Sequence, residues 1–241
     1  MIGPFCVCVP YMSPSCVPEW IDLGGNELTG ELPGDWSQMQ DLERLYLNDN
    51  SFTGNIPESF GSLPNLVVLN LAGNELTGEI PDMFAEMEDL RILRFDFNAL
   101  TGAIPPSCGE LKNVRVFKLN SNFNAETNTG GIVGPIPATV GGMESVEIFE
   151  VYSNLINDSL PEEMGNLESL TLLNIESNLL IGEIPASFVN LINLEEFYLS
   201  GNDLVGPWPE GLCMTQFSDL VFMVPDCDME CPEGCCSSCE E

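Results

Sequence analysis

Four positively charged side chains are spaced in a way that could bind an anion. The sequence of 241 residues has only six Lys and Arg against 38 Asp and Glu, for a formal net charge of -32. Two pairs among the six cations are each 24 residues apart: Arg91 with Arg115, and Arg94 with Lys118. Side chains that recur at the period of a repeat lie side by side on neighbouring repeats. The spacing therefore predicts a compact basic patch that could bind an acidic peptide, a carboxylate or a sulfated or uronic sugar.

Two interpretations of this basic patch remain open from the sequence. Like charges on adjacent strands, about 4.8 Å apart, repel each other by roughly 0.8 kcal/mol in water. In the first interpretation Asp96, Glu147 and Glu150 neutralise the cations within the chain, through surface pairs that contribute about 0–1 kcal/mol each. In the second, an acidic ligand neutralises them, and the nearby aromatic residues Phe97 and Tyr152 anchor that ligand.

The ten cysteines are concentrated at the two ends of the chain. Three lie within residues 1–17, whereas Cys108 stands alone in an apolar position of the middle, where a buried core thiol is expected. Cysteines clustered at chain ends are typical of disulfide-closed caps in an oxidising compartment. Four thiolates with this spacing could also hold zinc. We predict a disulfide cap without metal, formed by Cys213, Cys227, Cys231, Cys235, Cys236 and Cys239.

Residues suited to catalysis are scarce. The sequence has no histidine, which is the commonest general base and metal ligand. It also lacks a nucleophile motif, a phosphate loop, a dinucleotide fingerprint and an EF-hand loop. A hydrolase that uses carboxylates alone is the remaining enzymatic alternative. We predict a non-enzymatic protein without cofactor, and the acidic charge argues against nucleic acid or an anionic membrane as partner.

A repeat of 24 residues positions all of these side chains. Asparagine recurs eight times at this interval, with one step of 32 residues. Apolar residues precede each asparagine by three and five positions. A glycine follows most of them by four, with Asp158 replacing it once, and a proline follows by seven; in the long step after Asn122 these two positions are Gly134 and Pro137. The asparagines are Asn26, Asn50, Asn74, Asn98, Asn122, Asn154, Asn178 and Asn202.

Each column of the repeat has a physical role. Two alternating apolar residues form a short strand with one buried face, and neighbouring coils must stack to bury it. The asparagine amide satisfies backbone groups where the chain turns, and stacked asparagines form a ladder. Glycine, or Asp158 in its place, adopts a left-handed conformation, and proline starts the return path. The repeat therefore predicts a solenoid.

The stretch LPNLVVLNLAGNELTGEIPDMFAEM, at residues 63–87, resembles the plant-type leucine-rich repeat. The resemblance implies an α/β repeat solenoid, right-handed and curved, with a concave parallel β-sheet and an irregular or 3₁₀ convex side. It also implies relatives among receptor-like ectodomains and polygalacturonase-inhibiting proteins. The ending DCDMECPEGCCSSC is similar to the C termini of leucine-rich-repeat proteins from diatoms and related algae.

Three segments are expected. Residues 1–17 form a cysteine-containing N-terminal segment, interpreted as a truncated cap, residues 18–212 form eight leucine-rich repeats, and residues 213–241 form the cysteine-rich C-terminal cap. An insertion of eight residues falls within 123–133, and it forms a loop that is either part of a binding face or a tolerated passenger.

The expected function is recognition outside the cell. We predict a secreted or cell-surface, receptor-like signalling module that binds a protein, peptide or acidic glycan on its concave face, with a co-receptor as a further candidate partner. The alternatives are an inhibitor of a secreted hydrolase and a structural or adhesive cell-wall protein. No signal peptide or membrane anchor is visible in the sequence. The sequon Asn157-Asp158-Ser159 predicts glycosylation at Asn157.

Overall fold

Every repeat contributes a very short strand, because only a few residues per coil follow the alternating apolar pattern. The computed structural model describes residues 18–209 and 211–212, and residues 221–223 as backbone alone. The strands, in chain order, are β1 (Trp20–Asp22), β2 (Thr29–Glu31), β3 (Arg44–Tyr46), β4 (Ser51–Gly54), β5 (Val68–Asn70), β6 (Glu75–Glu79), β7 (Ile92–Arg94), β8 (Ala99–Thr101), β9 (Val116–Lys118), β10 (Phe123–Asn124), β11 (Thr129–Gly130), β12 (Val133–Gly134), β13 (Ile148–Glu150), β14 (Leu155–Asp158), β15 (Leu172–Asn174), β16 (Leu179–Gly182), β17 (Glu196–Tyr198), β18 (Asp203–Leu204) and β19 (Val221–Met223).

A nine-stranded parallel sheet forms the concave side of the solenoid. Its order is β1-β3-β5-β7-β9-β13-β15-β17-β19, so the strands follow one another in chain order from coil to coil. The strands are in register, with Leu69 opposite Leu93 and Leu93 opposite Phe117. These central residues are fully buried, as is Phe95, which follows β7. The alternating apolar residues therefore line the core, as the repeat predicts.

The short strands that follow the asparagine turn of each coil form two narrower sheets. One has the order β2-β4-β6-β8 and the other β12-β14-β16-β18. The insertion separates them, and it folds into an antiparallel hairpin of β10 and β11 in which Phe123 faces Gly130. A single hydrogen bond still joins the two halves, from the Val133 amide to the Gly102 carbonyl at 2.7 Å. The hairpin therefore interrupts this narrow sheet and leaves the concave sheet continuous.

The convex side carries one short 3₁₀-helix in most coils. Five of the six helices begin directly after the proline of the repeat, whose φ near -65° suits that position. The helices stack closely: a Cβ added at Gly109 would lie 2.1 Å from the Thr139 carbonyl oxygen. The helices are η1 (Glu58–Ser62), η2 (Phe84–Glu86), η3 (Pro106–Glu110), η4 (Ala138–Gly142), η5 (Glu162–Asn166) and η6 (Ala186–Asn190).

An asparagine ladder joins each coil to the one before it. Asn74 shows the pattern: its Nδ2 donates to the carbonyls of Leu47 and Leu71, both at 3.0 Å, and its Oδ1 accepts from the Phe52 amide at 3.0 Å. Every repeat asparagine from Asn50 to Asn202 makes the same contacts with the previous coil. These amides satisfy backbone groups that the turn would otherwise leave unpaired.

The core runs without a break along the described solenoid. Phe117 and Phe149 stack across the insertion point with ring centroids 5.1 Å apart. Cys108, in η3, is fully buried with a free thiol, as its apolar position predicts. Burial raises the pKa of this thiol to about 12.

Candidate ligand-binding surface

The fold brings the four cations together on β7 and β9. Arg94 faces Lys118 across these two strands. Arg91 and Arg115 lie just before them, and the Arg115 amide donates to the Arg91 carbonyl at 2.8 Å. The 24-residue spacing thus places the four side chains on two adjacent coils at one side of the solenoid.

Arg94 makes a bidentate ion pair within its own coil. Its Nε and Nη2 lie 3.1 and 2.7 Å from the two carboxylate oxygens of Asp96. Asp96 is only 1 % exposed, so the pair shields a buried carboxylate. The hydrogen bond to Asp96 raises the pKa of Arg94. This arginine is therefore held in place by its partner rather than free in solvent.

Two further cations pair with carboxylates of the next coil. Arg115 Nη1 lies 3.3 Å from Glu147 Oε1, and Lys118 Nζ contacts Glu150, which faces it from β13. Arg91 is exposed and forms no ion pair with any residue in the described part of the chain. Three of the four cations thus have the internal carboxylate partners that the first interpretation named.

A block of polar side chains occupies the concave sheet at this point. We call it the central cluster, and its members are Arg94, Asp96, Lys118, Asn120, Glu150 and Tyr152. Asn120 is 1 % exposed, and its Oδ1 accepts no hydrogen bond from the described residues. A buried acceptor without a donor is unfavourable by about 1–3 kcal/mol. The cluster therefore contains a buried acceptor that has no donor among the described residues.

Sequence reasoning missed Asn120, although a signal was available. The position two residues before each ladder asparagine faces the concave side, where it places Asp96, Asn120 and Tyr152 on successive coils. The cation columns lie four and seven positions before the asparagine. From the third column, Asp96 and Tyr152 are predicted one by one, without comparison of that column across the coils, so Asn120 is not noticed. Comparing all outward-facing columns of the repeat would have revealed it.

Phe97 has an unusual conformation at the edge of the concave sheet. It has φ 54°, in the left-handed region, and its side chain is 54 % exposed. A bulky residue in this region is strained, by an amount on the order of 1 kcal/mol or more. The equivalent positions in the other coils all have positive φ and are small or turn-forming: Gly25, Asp49, Gly73, Ser121, Ser153, Ser177 and Gly201.

The predicted second aromatic residue, Tyr152, lies further along the sheet. It follows β13 and is half-buried, and its carbonyl accepts from the Ser121 amide at 2.8 Å. The strand β9 separates it from the coil of Phe97. The hairpin contacts both coils: a Cβ added at Gly130 would be 3.0 Å from the Cα of Ala99, two residues after Phe97, and the Phe123 amide donates to the carbonyl of Ser153, next to Tyr152, at 3.2 Å. Phe97 and the hairpin therefore border the central cluster, to which Tyr152 itself belongs.

Other predicted sites are placed differently. Asn157 is exposed on β14 and is therefore outside the concave sheet. The six tail cysteines lie outside the described residues. Within residues 18–209 and 211–212, no three His, Cys, Asp or Glu side chains are grouped so that they could hold a metal ion. In the same part of the chain, no helix is long and apolar enough to cross a membrane.

The stacked parallel strands, asparagine ladder and 3₁₀-helices define a leucine-rich-repeat solenoid. Two family models described as leucine-rich repeat match the chain, one over residues 40–100 and the other over 169–191 and 193–214. No curated protein sequence matches it. The chain is a leucine-rich-repeat protein, of a class that is typically non-enzymatic.

Among solved structures, the chain is similar to plant receptors. The chain is similar to the plant peptide hormone receptor RGFR1 in complex with RGF2, with 30% identity and a TM-score of 0.68 over 86% of this chain and 35% of that one. It is also similar to the ectodomain of the Arabidopsis receptor kinase HAESA in complex with an extended IDA peptide hormone, with 29% identity and a TM-score of 0.63 over 85% and 36%.

A plant ice-binding protein, with 24% identity and a TM-score of 0.68 over 83% of this chain and 64% of that one, shares the fold. The particular resemblance is therefore to plant receptor ectodomains, of which this chain spans about a third of the length.

Proposed function

We propose that this protein is an extracellular, receptor-like recognition module that binds a peptide on its concave sheet. The receptors that it resembles are ectodomains, solved with peptide hormones bound. A stiff solenoid suits this task, because a preformed sheet presents side chains to a ligand with little ordering cost. A co-receptor remains a candidate second partner, and the division of the chain into three segments stays a prediction.

Phe97 is the observation that carries the proposal. Seven equivalent positions show that glycine, aspartate or serine fits this turn, so the phenylalanine is not needed for folding. A strained residue at an exposed site points to a role in binding. Aromatic side chains of this kind commonly supply much of the binding energy at an interface.

The ion pairs define the chemistry of the proposed ligand. Three cations already have carboxylate partners, so a purely anionic ligand would have to compete with Asp96, Glu147 and Glu150. Arg91 remains exposed and available to a carboxylate. A peptide provides a carboxylate together with apolar side chains to pack on Phe97. Such a ligand fits this surface better than an acidic glycan.

Selection from a displayed peptide library against the purified protein tests this proposal. Peptides that bind the parent chain are measured against Phe97→Asn, a residue that tolerates the left-handed turn. Loss of an aromatic anchor is expected to weaken binding by about 2 kcal/mol, or roughly 30-fold in Kd. Thermal unfolding should show that the variant is at least as stable as the parent, since the strain is relieved.

The matched control is Gly25→Asn, at the equivalent turn three coils earlier, where a Cβ would meet no atom within 4 Å. It should change neither binding nor stability. Peptide affinities that are equal in the parent chain and Phe97→Asn would contradict the proposed site. A preference for purely acidic peptides, lost at high salt, would instead support the basic patch as an anion site.

A further inference from the structure

The narrow sheet of β12, β14, β16 and β18 has an apolar outer face. Strand alternation buries Ile156 and Leu180 and turns their neighbours outward. Four of these outward side chains are 41 to 56 % exposed: Val133, Leu179, Ile181 and Val205. Contiguous exposed apolar residues are uncommon on a chain that has no partner for them. The face is therefore a candidate for a small covering group.

Val133, Ile181 and Val205 stand directly before the glycine of their repeats, in the same column as Asn157, and this column is polar in the other half of the solenoid. On β2, β4, β6 and β8 it contains threonine each time, at Thr29, Thr53, Thr77 and Thr101. The fold therefore accepts polar residues in this column. The apolar residues after the hairpin are a property of this half alone and not of the repeat.

Asn157 lies within this apolar face. It is exposed on β14 directly opposite Leu179, and its side chain makes no hydrogen bond with the described residues. It is the first residue of the sequon Asn157-Asp158-Ser159. The sequon continues in an open turn, where Asp158 has φ 75° and its Oδ1 accepts from the Ser159 amide at 2.8 Å. Nothing in the described fold would obstruct a group attached to the Asn157 amide.

We propose that Asn157 carries an N-linked glycan whose first sugars cover Val133, Leu179, Ile181 and Val205. N-acetylglucosamine suits this face, since its acetamide methyl group and ring C–H bonds are apolar while its hydroxyls face water. The inference rests on the extracellular location in the proposed function. The glycan would stand on the narrow sheet and leave the concave sheet free for a peptide.

The modification is an ordinary glycosyl transfer. The Asn157 Nδ2 attacks C1 of the terminal N-acetylglucosamine of an oligosaccharide activated as a lipid diphosphate. The new bond is C1–Nδ2, and the C1–O bond to the diphosphate breaks with its electron pair remaining on the leaving group. One Nδ2 proton is released to base. No oxidant or reductant is required.

A second copy of this chain suits the face less well. Two chains of formal charge -32 repel each other strongly on approach. The four exposed side chains also form a small area compared with the roughly 800 Å² per partner that a stable interface buries. A glycan attached to the face needs neither charge complementarity nor a large area.

The first test is intact mass of the full chain secreted from a eukaryotic host cell. The parent should exceed its polypeptide mass by a sum of hexose and N-acetylhexosamine units. The increment should be lost in Asn157→Gln and in Ser159→Ala, the second of which keeps the asparagine. An unmodified parent, from a host that glycosylates a co-secreted control protein, would overturn the proposal.

The second test asks whether the glycan covers the apolar face. Secreted Ser159→Ala should bind an apolar fluorescent dye more brightly than the glycosylated parent, and adding Leu179→Thr and Ile181→Thr should remove the difference. Equal fluorescence of the parent and Ser159→Ala, or dimerisation of both in sedimentation, would overturn the covering role. Peptide binding at Phe97 is measured separately, so either proposal can fail without the other.

Discussion

The residue before each ladder asparagine has the same backbone conformation in all eight coils, so differences among the side chains at this position are not required by the backbone. All eight have positive φ, which costs little for glycine, aspartate and serine. Phe97 adopts the same conformation with a bulky, exposed ring. Asp158 also has a positive φ, of 75°, at a position that is glycine in the other repeats. Its side chain is small, so this conformation costs it less than it costs Phe97. Positive φ alone is therefore tolerated in this fold, and its combination with an exposed aromatic ring at Phe97 is what supports the proposed binding role.

Cys108 permits a prediction about alkaline pH. Its thiol has a pKa of about 12 when folded, against an ordinary value of 9.0, because burial disfavours the thiolate. Above pH 9 the unfolded chain loses this proton and the folded chain keeps it, so the contribution to stability is complete below pH 9 and is lost as pH rises toward 12. The free energy of unfolding should fall by up to about 1.4 kcal/mol per pH unit more steeply than in Cys108→Ala.

Denaturant unfolding of both proteins at a series of pH values measures the difference. Cys108→Ala should be less stable at neutral pH, because it leaves a cavity, but its alkaline slope should be flatter. Parallel pH profiles for the two proteins would show that the thiol titrates freely in the folded state.

At the scale of elements, the sequence predicts what the repeat period controls. Strand positions, the burial of Leu93 and Phe95, and the asparagine turns follow from columns that occur eight times. Structural features that occur in only one coil cannot be predicted from the repeat. The pairing of Phe123 with Gly130 in the hairpin depends on local turn geometry, and the choice of Asp96 by Arg94 depends on side-chain rotamers within one coil.

The stacking of the 3₁₀-helices gives a prediction at the same scale. Gly109 packs against the backbone of the next helix, where a Cβ would be 2.1 Å from the Thr139 carbonyl oxygen and 2.7 Å from its carbon. Backbone atoms cannot move aside as a flexible side chain can. Gly109→Ala should therefore lower the free energy of unfolding by about 1–3 kcal/mol, as measured by denaturant titration.

Gly34→Ala is the matched control for that substitution. It lies before the repeat region of stacked helices, and a Cβ there would meet no atom within 4 Å. This variant should be neutral or slightly stabilising, because it restricts only the unfolded chain. An equal loss of stability in both variants would mean that helix stacking does not account for the glycine at position 109.

Across the whole molecule, charge works against the compact state. Three ion pairs among the described residues stand against a formal net charge of -32. Arg115 and Glu147 are exposed, so solvent screens their attraction. The repulsion among 38 acidic residues acts over longer distances. The solenoid separates these charges along an extended surface, but every coil adds more of them. Self-repulsion should therefore be the dominant electrostatic contribution to stability.

Salt should consequently stabilise this protein. Raising ionic strength from about 0.01 M to about 0.15 M shortens the Debye length from roughly 30 to 8 Å, which screens distant acidic charges more than contacting ion pairs. The Tm in calorimetry should rise with sodium chloride over this range. Lys112→Glu, at an exposed cation without an ion pair among the described residues, makes the chain more acidic and should steepen that rise. A Tm that falls with salt would show that the ion pairs around the central cluster outweigh the net charge.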